Sequence, residues 1–135
     1  MNTPKYVYAS GAAFIFIFIF DRVFHGIILK GMYQQVVFLW RPHDQMMIFF
    51  PFIIFSQILF SFLFGFIFIK GLENKGITEG LRYGLLIALL SSTHLIEMYA
   101  SQPVPAGIII AWILGAVVKY SLAGMVIAAI YKPVR

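Results

Sequence analysis

Four ionisable residues within apolar stretches of the chain are spaced for joint chemistry. Asp21 and His25 lie four residues apart, and His94 and Glu97 lie three apart. Residues at these spacings share one face of a helix. Carboxylates and imidazoles bind metals and carry protons, and a charge inside hydrocarbon needs either a partner or a function. These residues are therefore the first candidates for any chemistry of the chain.

The simplest interpretation is a structural ion-pair cluster. Lys119 lies deep in an apolar stretch, where a lysine must be paired, neutral or extended toward the surface. Its long side chain can reach Asp21, and Arg22 can pair with Glu97. Such pairs would fix the register of the helices. The predicted cluster consists of Asp21, Arg22, His25, Glu97 and Lys119.

Two cofactor sites are alternatives to that cluster. His25 and His94, on different helices at similar depth, could ligate one haem iron axially, although Gly26 is the only small residue beside His25. Asp21, His25, His94 and Glu97 together would suit iron, zinc or manganese. The order His94-x-x-Glu97, however, reverses the Glu-x-x-His motif of helical metal sites.

A proton or ion pathway through Asp21, Gln57 and Lys119 is a further alternative. Four helices without an internal repeat make a poor self-contained transporter. The chain has no nucleophile elbow with a serine, histidine and acid, and no phosphate-binding glycine loop. We therefore predict no catalytic residues.

Composition identifies the elements that must position these residues. The 135 residues are 61% hydrophobic and 11% charged, with no cysteine and a formal charge of +5. Soluble domains carry about 25% charged residues, so we expect a membrane protein and exclude a disulfide scaffold or a zinc-thiolate site. Because no basic run or stacking platform is present, we expect no nucleic acid partner, and the positive charge suits anionic lipid.

Four apolar segments are long enough to cross a bilayer, which needs about 20 residues per helix. They cover about 6–29, 46–69, 80–100 and 106–130, and an amphipathic connection at 30–45 would lie along the interface. The prediction is an all-α, integral membrane four-helix bundle with antiparallel neighbours. The whole chain, 1–135, forms one domain.

The distribution of cations predicts the orientation in the membrane. Six cations flank one side and two, Lys30 and Arg41, flank the other, which puts both termini in the cytoplasm. The six are Lys5, Lys70, Lys75, Arg82, Lys132 and Arg135.

Small residues predict where helices meet, because packing in lipid depends on close backbone approach. The third helix carries small residues at steps of four, and so does the fourth, which predicts that the two ridges face each other. The first two helices are bulky with Phe and Ile, and could face lipid, a partner, a pigment or a quinone. The packing residues are Gly80, Gly84 and Ala88, and Gly107, Ala111 and Gly115.

Several segments are similar to those of a known group of proteins. The run 21–30 followed by Tyr33, the segment 40–42, the loop 70–77 and the closing 131–133 resemble small four-helix bacterial inner-membrane proteins grouped as a domain of unknown function. The resemblance implies a topology and a location in the bacterial inner membrane. It carries no catalytic role onto any residue.

These patterns favour a non-catalytic accessory or scaffold subunit of a larger membrane complex, in contact with lipid and with other membrane subunits. The alternative is a haem- or metal-binding redox subunit that uses His25 and His94. A further alternative is a component of a small ion or proton pathway.

Overall fold

The chain is helical throughout the part that the structure describes. The structure is a computed structural model and describes residues 1–132. Pro133 of the segment 131–133 and Arg135 of the flanking cations lie outside that range. The α-helices are α1 (Thr3–Val23), α2 (Lys30–Gln34), α3 (His43–Lys70), α4 (Ile77–Ser101) and α5 (Ala106–Ile130). A π-helical turn, Phe24–Ile28, continues α1, and a 3-10 turn, Val37–Leu39, follows α2.

Four segments are long and apolar enough to cross a membrane: Thr3–Ile28, α3, α4 and α5. The prediction of an all-α chain with four such helices is confirmed, and residues 1–132 contain no strand. Three of the four helices begin about three residues before the predicted spans. The reason is that the prediction counted apolar residues, whereas the first turns of α3 and α4 contain Asp44 and Glu79, acids that suit the positive end of a helix dipole.

Glu79 organises the turn between α3 and α4. Its carboxylate is buried and accepts hydrogen bonds from the backbone N–H groups of Glu73 and Lys75, at 2.5 and 2.8 Å. The Glu73 carboxylate in turn binds Lys75 and Arg82, and the hydrogen bonds from these two cations lower the pKa of Glu73 to about 2. Because that pKa is lowered, the stabilisation is complete above the ordinary pKa of glutamate and disappears as the pH falls toward 2.

The helices contact one another in a definite order. α1 packs against both α3 and α5, and α4 packs along the length of α5. Residues near both ends of the described chain meet, because the Asn2 N–H donates to the Tyr131 hydroxyl at 3.0 Å and Lys5 Nζ donates to the Lys132 carbonyl at 3.1 Å. We call this the terminal end of the helices, and the opposite end, with residues 29–42 and 102–105, the far end.

The ridge of small residues on α4 contacts α5, but through a different α5 face from the predicted one. A Cβ added at Gly80 would overlap the Gly124 carbonyl, and one added at Gly84 would overlap the Tyr120 carbonyl. The backbones of the two antiparallel helices therefore touch.

Gly115 belongs instead to the contact with the first membrane helix, since a Cβ there would overlap the Phe24 ring. Gly107 is exposed and Ala111 is half-buried. The prediction that these three residues face α4 is therefore wrong. Residues at steps of four turn gradually around a helix of 3.6 residues per turn. The small residues of α5 that meet α4 are instead Ser121, Gly124 and Ala128.

A second close contact joins α1 and α3. Ser10 and Ser61 are fully buried, and a Cβ at Gly65 would overlap the Ser10 hydroxyl. Ala9 and Ala13 are buried on the same part of α1. The prediction that these two helices are bulky on nearly every side missed this stripe, because a few small residues are hidden among many Phe and Ile.

The connection between α1 and α3 folds over the far end. Val36 is buried in a cluster with Val104, Ile108 and Ile109, whereas Phe38 is 75% exposed. The buried side of the connection therefore packs on the start of α5, and its outer side exposes an apolar residue.

Candidate functional site

A cavity of about 810 Å³ lies between α1, α3 and α5 and is bounded at the far end by the connection. Several of its lining residues are exposed, among them Arg22 on α1 and Met46 and Ile53 on α3. The cavity is therefore open to the surface beside these residues. Its other lining residues include charged, amide and aromatic side chains: Asp21, His25, Gln57, Lys119, Tyr33, Trp40, Phe60, Trp112 and Tyr120.

Asp21 is the centre of the polar side chains in this cavity. Lys119 Nζ lies 2.9 Å from its Oδ1, and Gln57 Nε2 donates to its Oδ2 at 2.7 Å. The side chains of Asp21 and Lys119 are only 17% and 13% exposed. One carboxylate thus joins α1, α3 and α5, and its charge is neutralised locally.

His25 extends the cluster toward the connection. Its Nε2 lies 3.8 Å from Asp21 Oδ1, and its Nδ1 hydrogen-bonds to the Tyr33 hydroxyl. That hydroxyl also accepts a hydrogen bond from Trp112 Nε1 at 2.7 Å. Burial raises the pKa of Tyr33, so its hydroxyl remains protonated and can donate to His25.

The π-helical turn explains the position of His25. The turn Phe24–Ile28 widens the end of α1, and such turns are frequent at functional sites. His25 lies within this widened turn, between Asp21 on α1 and Tyr33 on α2.

Two polar atoms of the cavity lining have no hydrogen-bond partner among residues 1–132. They are Trp40 Nε1, a donor, and Gln57 Oε1, an acceptor, and both atoms are shielded from solvent. Buried polar atoms are nearly always paired. Both atoms belong to residues that line the cavity, but each atom is enclosed by protein and does not face the cavity.

Aromatic rings form the wall at the far end. The ring centroids of Tyr33 and Trp40 are 5.3 Å apart, and those of Trp40 and Trp112 are 6.0 Å apart. The sequence alone does not mark Tyr33 and Trp40 as site residues, because an isolated Tyr or Trp at a helix end is typical of the membrane interface. Their meeting depends on the fold of the connection, for which the sequence contains no periodic signal.

Arg22 and Glu97 do not pair as predicted. The Arg22 guanidinium lies over the Phe50 ring, 4.5 Å from its centroid, and the Phe18 ring at 5.3 Å. Glu97 is 80% exposed and lies 3.9 Å from His94 Nδ1. Because successive residues of a helix differ by about 100°, Arg22 faces α3 when Asp21 faces Lys119.

The structure does not bring His94 to His25. The α4 residues beside His25 are Ser91 and Leu95, which line a neighbouring cavity of about 210 Å³, whereas the His94 side chain is 73% exposed. Residues 1–132 contain no group of three or more His, Cys, Asp or Glu placed to hold a metal ion. The predicted four-residue metal site is therefore not formed, and the two histidines do not share a haem pocket.

No family model, curated protein or solved structure matches this chain.

Proposed function

We propose that this chain is a non-catalytic accessory subunit of a larger membrane complex, a four-helix bundle with both termini in the cytoplasm of a bacterium. The observation that carries the proposal is a polar surface on α4. His94 and Glu97, 73% and 80% exposed, lie on the face turned away from α5, and Thr93 is exposed beside them.

An exposed acid and imidazole within a membrane helix are costly in lipid. The same groups are favourable against a polar or basic membrane helix of another protein, where they gain charge-assisted hydrogen bonds. We therefore expect the partner to present a serine, lysine or arginine to Glu97.

The test is co-purification in mild detergent. We expect the double variant His94→Leu/Glu97→Leu to retain about tenfold less of the co-purifying chains than the unchanged protein, because a polar contact buried in an interface is lost. The control replaces two exposed α5 residues at similar spacing, Ile110→Ala/Leu114→Ala. Equal recovery of partner chains with both variants would contradict the proposal.

A proton pathway is a second candidate, because Asp21, Gln57 and Lys119 are in direct contact. Inward of Lys119, however, Phe60 and Tyr120 stack with centroids 4.8 Å apart, and Phe64 stacks on Phe60. A structural role for the cluster therefore agrees better with its surroundings. The redox alternative with His25 and His94 has no such supporting contact.

A further inference from the structure

We infer that the far end of the helices binds the phosphate of an anionic phospholipid, and that one acyl chain of this lipid lies in the cavity between α1, α3 and α5. Recognition of a lipid goes beyond the function of a subunit that only docks to partner proteins. The observation that carries this assignment is a second cavity, of about 820 Å³, that adjoins the first and is lined by cations.

The second cavity is formed by the π-helical turn, the connection and the start of α3. Within residues 1–132, its lining includes Lys30, Arg41 and His43, all exposed, and no carboxylate. The two cavities adjoin because they share four lining residues: His25, Gly26, Tyr33 and Trp40.

The charged groups that line both cavities favour an anion. Together the linings contain four cations and one acid, and the acid, Asp21, is neutralised by Lys119 at 2.9 Å. The other three cations have no carboxylate within 4.0 Å among residues 1–132: Arg22, Lys30 and Arg41. An anion that enters these cavities therefore meets an excess of positive charge.

The remaining acids at this end do not cancel the excess. Asp44 is exposed outside both linings, in the first turn of α3, where the positive end of the helix dipole compensates its charge. Glu97 lies on α4, also outside both linings, 3.9 Å from His94. Three unpaired cations against two acids still leave the far end positive, and a histidine adds no negative charge in either protonation state.

Two arginines are held in place by aromatic rings at the start of α3. The Arg41 guanidinium lies 4.2 Å from the centroid of the Phe49 ring, and the Arg22 guanidinium lies 4.5 Å from that of the Phe50 ring. A guanidinium that stacks on a ring keeps the N–H groups at its edge free, and its planar fork of donors matches the oxygens of a phosphate. Phosphate is therefore an anion that suits this end of the molecule.

The position of the cations favours a lipid over a soluble phosphate. Lys30 follows the membrane segment Thr3–Ile28 and Arg41 precedes α3, so both lie at the level of lipid headgroups in a bilayer. The outer side of the connection exposes Val37 and Phe38, by 64% and 75%. Exposed apolar side chains beside cations are typical of segments that insert among lipid headgroups.

The first cavity has room for an acyl chain. Its lining includes the apolar side chains of Ile17, Ile53 and Phe60, and it is open to the surface beside Met46 and Ile53. Its volume of about 810 Å³ lies in the range typical of small-molecule sites, roughly 300–1,000 Å³. A chain can therefore lie in this cavity while the phosphate stays in the second one.

Intrinsic fluorescence tests the lipid site, because the only two tryptophans of the chain, Trp40 and Trp112, line the first cavity. The probes are phosphatidylglycerol and phosphatidylcholine with brominated acyl chains, which quench tryptophan on contact. Each is mixed with unlabelled phosphatidylcholine in vesicles that contain the full chain. We expect phosphatidylglycerol to bind about tenfold more tightly than phosphatidylcholine, because Lys30 and Arg41 attract the anionic headgroup.

Matched charge variants locate the headgroup. Lys30→Gln/Arg41→Gln should reduce the preference for phosphatidylglycerol to about twofold or less, because both cations beside the phosphate are lost. The control Lys70→Gln/Lys132→Gln removes the same charge from exposed positions at the terminal end and should preserve the preference. An equal loss in both double variants would show that only the total charge of the protein matters, and would overturn the site.

A glycine pair tests the acyl chain independently of charge. Gly26 lines both cavities, and a Cβ added there would meet nothing within 4 Å. Gly26→Leu should therefore narrow the junction and weaken quenching by brominated phosphatidylglycerol. Gly31→Leu is the control, since Gly31 is also in open space but lines neither cavity. If the charge variant fails to fold, this pair decides, and equal quenching in the two leucine variants would contradict the placement of the chain.

Competition distinguishes the sources of the anion. Displacement of brominated phosphatidylglycerol by sodium phosphate, but not by sodium chloride at equal ionic strength, would assign the site to a soluble phosphate. Displacement by oleate at the same concentration as unlabelled phosphatidylglycerol would assign it to carboxylates. Equal quenching by the two brominated lipids would mean that the cavity accepts any acyl chain. Each of these results would overturn the anionic phospholipid site.

Discussion

At the scale of single residues, Asp21 has the greatest structural consequence. It receives hydrogen bonds from Lys119 and Gln57, and His25 lies 3.8 Å away. Removing one member of a buried ion pair is far more harmful than removing both, because the remaining charge stays uncompensated. This asymmetry allows the pair to be tested.

We expect Lys119→Met to destabilise the protein by about 3–5 kcal/mol, measured by unfolding in mixed detergent micelles. The double variant Asp21→Asn/Lys119→Met should recover most of that loss. Lys70→Met, at an exposed helix end, is the control and should change stability by less than about 1 kcal/mol. A Lys119→Met variant as stable as the control would show that the ion pair contributes little.

The same double variant separates the structural role from the proton pathway. Proton flux into vesicles that exceeds the background of empty vesicles, and that disappears in Asp21→Asn/Lys119→Met, would favour the pathway. Equal flux in both proteins assigns the pair to structure.

The sequence reveals Asp21 and Lys119 because a charge within an apolar stretch is conspicuous. It does not reveal that Arg22 turns toward Phe50 or that His94 faces outward, since both depend on the rotation of each helix about its axis. Helices that are apolar on every side contain little information about that rotation.

At the scale of helices, small residues determine which backbones meet. Gly84 touches the backbone of α5 at Tyr120 and Ser121, whereas a Cβ at Gly11 would meet nothing within 4 Å. The ridge on α4 is readable from the sequence because its spacing is regular. Its counterpart on α5 is not, because Ser121, Gly124 and Ala128 lie among other small residues.

Gly84→Ala should separate α4 from α5 and destabilise the protein by about 1–3 kcal/mol, since neither backbone can yield to the added methyl group. Gly11→Ala is the matched control, also inside a helix but in open space. It should be neutral or stabilising by up to about 1 kcal/mol, because alanine favours the helix. Thermal unfolding in detergent compares the two, and a stable Gly84→Ala protein would refute the close contact.

At the scale of the whole molecule, four helices long enough to cross a membrane follow from length and apolarity alone. The site does not follow in this way, because its far-end wall is formed by the connection. Tyr33 reaches His25 and Trp112 only when residues 29–42 fold back over the helices.

The proposed orientation predicts a labelling pattern. The chain has no cysteine, so Gln34→Cys and Thr78→Cys each introduce a single thiol at an exposed position, one at each end of the helices. A membrane-impermeant maleimide added to intact bacterial cells should label Gln34→Cys, and should label Thr78→Cys only after permeabilisation. The opposite pattern would invert the orientation.

The Asp21–Lys119 pair also bears on how the chain is made. Its members are 98 residues apart and lie on the first and last of the four long helices. During synthesis α1 is made before Lys119, so until α5 is complete the Asp21 carboxylate has His25 and Gln57 as neighbours but lacks its cation. A chain that lacks α5 therefore carries this acid without its cation, and we expect it to be less stable in a membrane than the full chain.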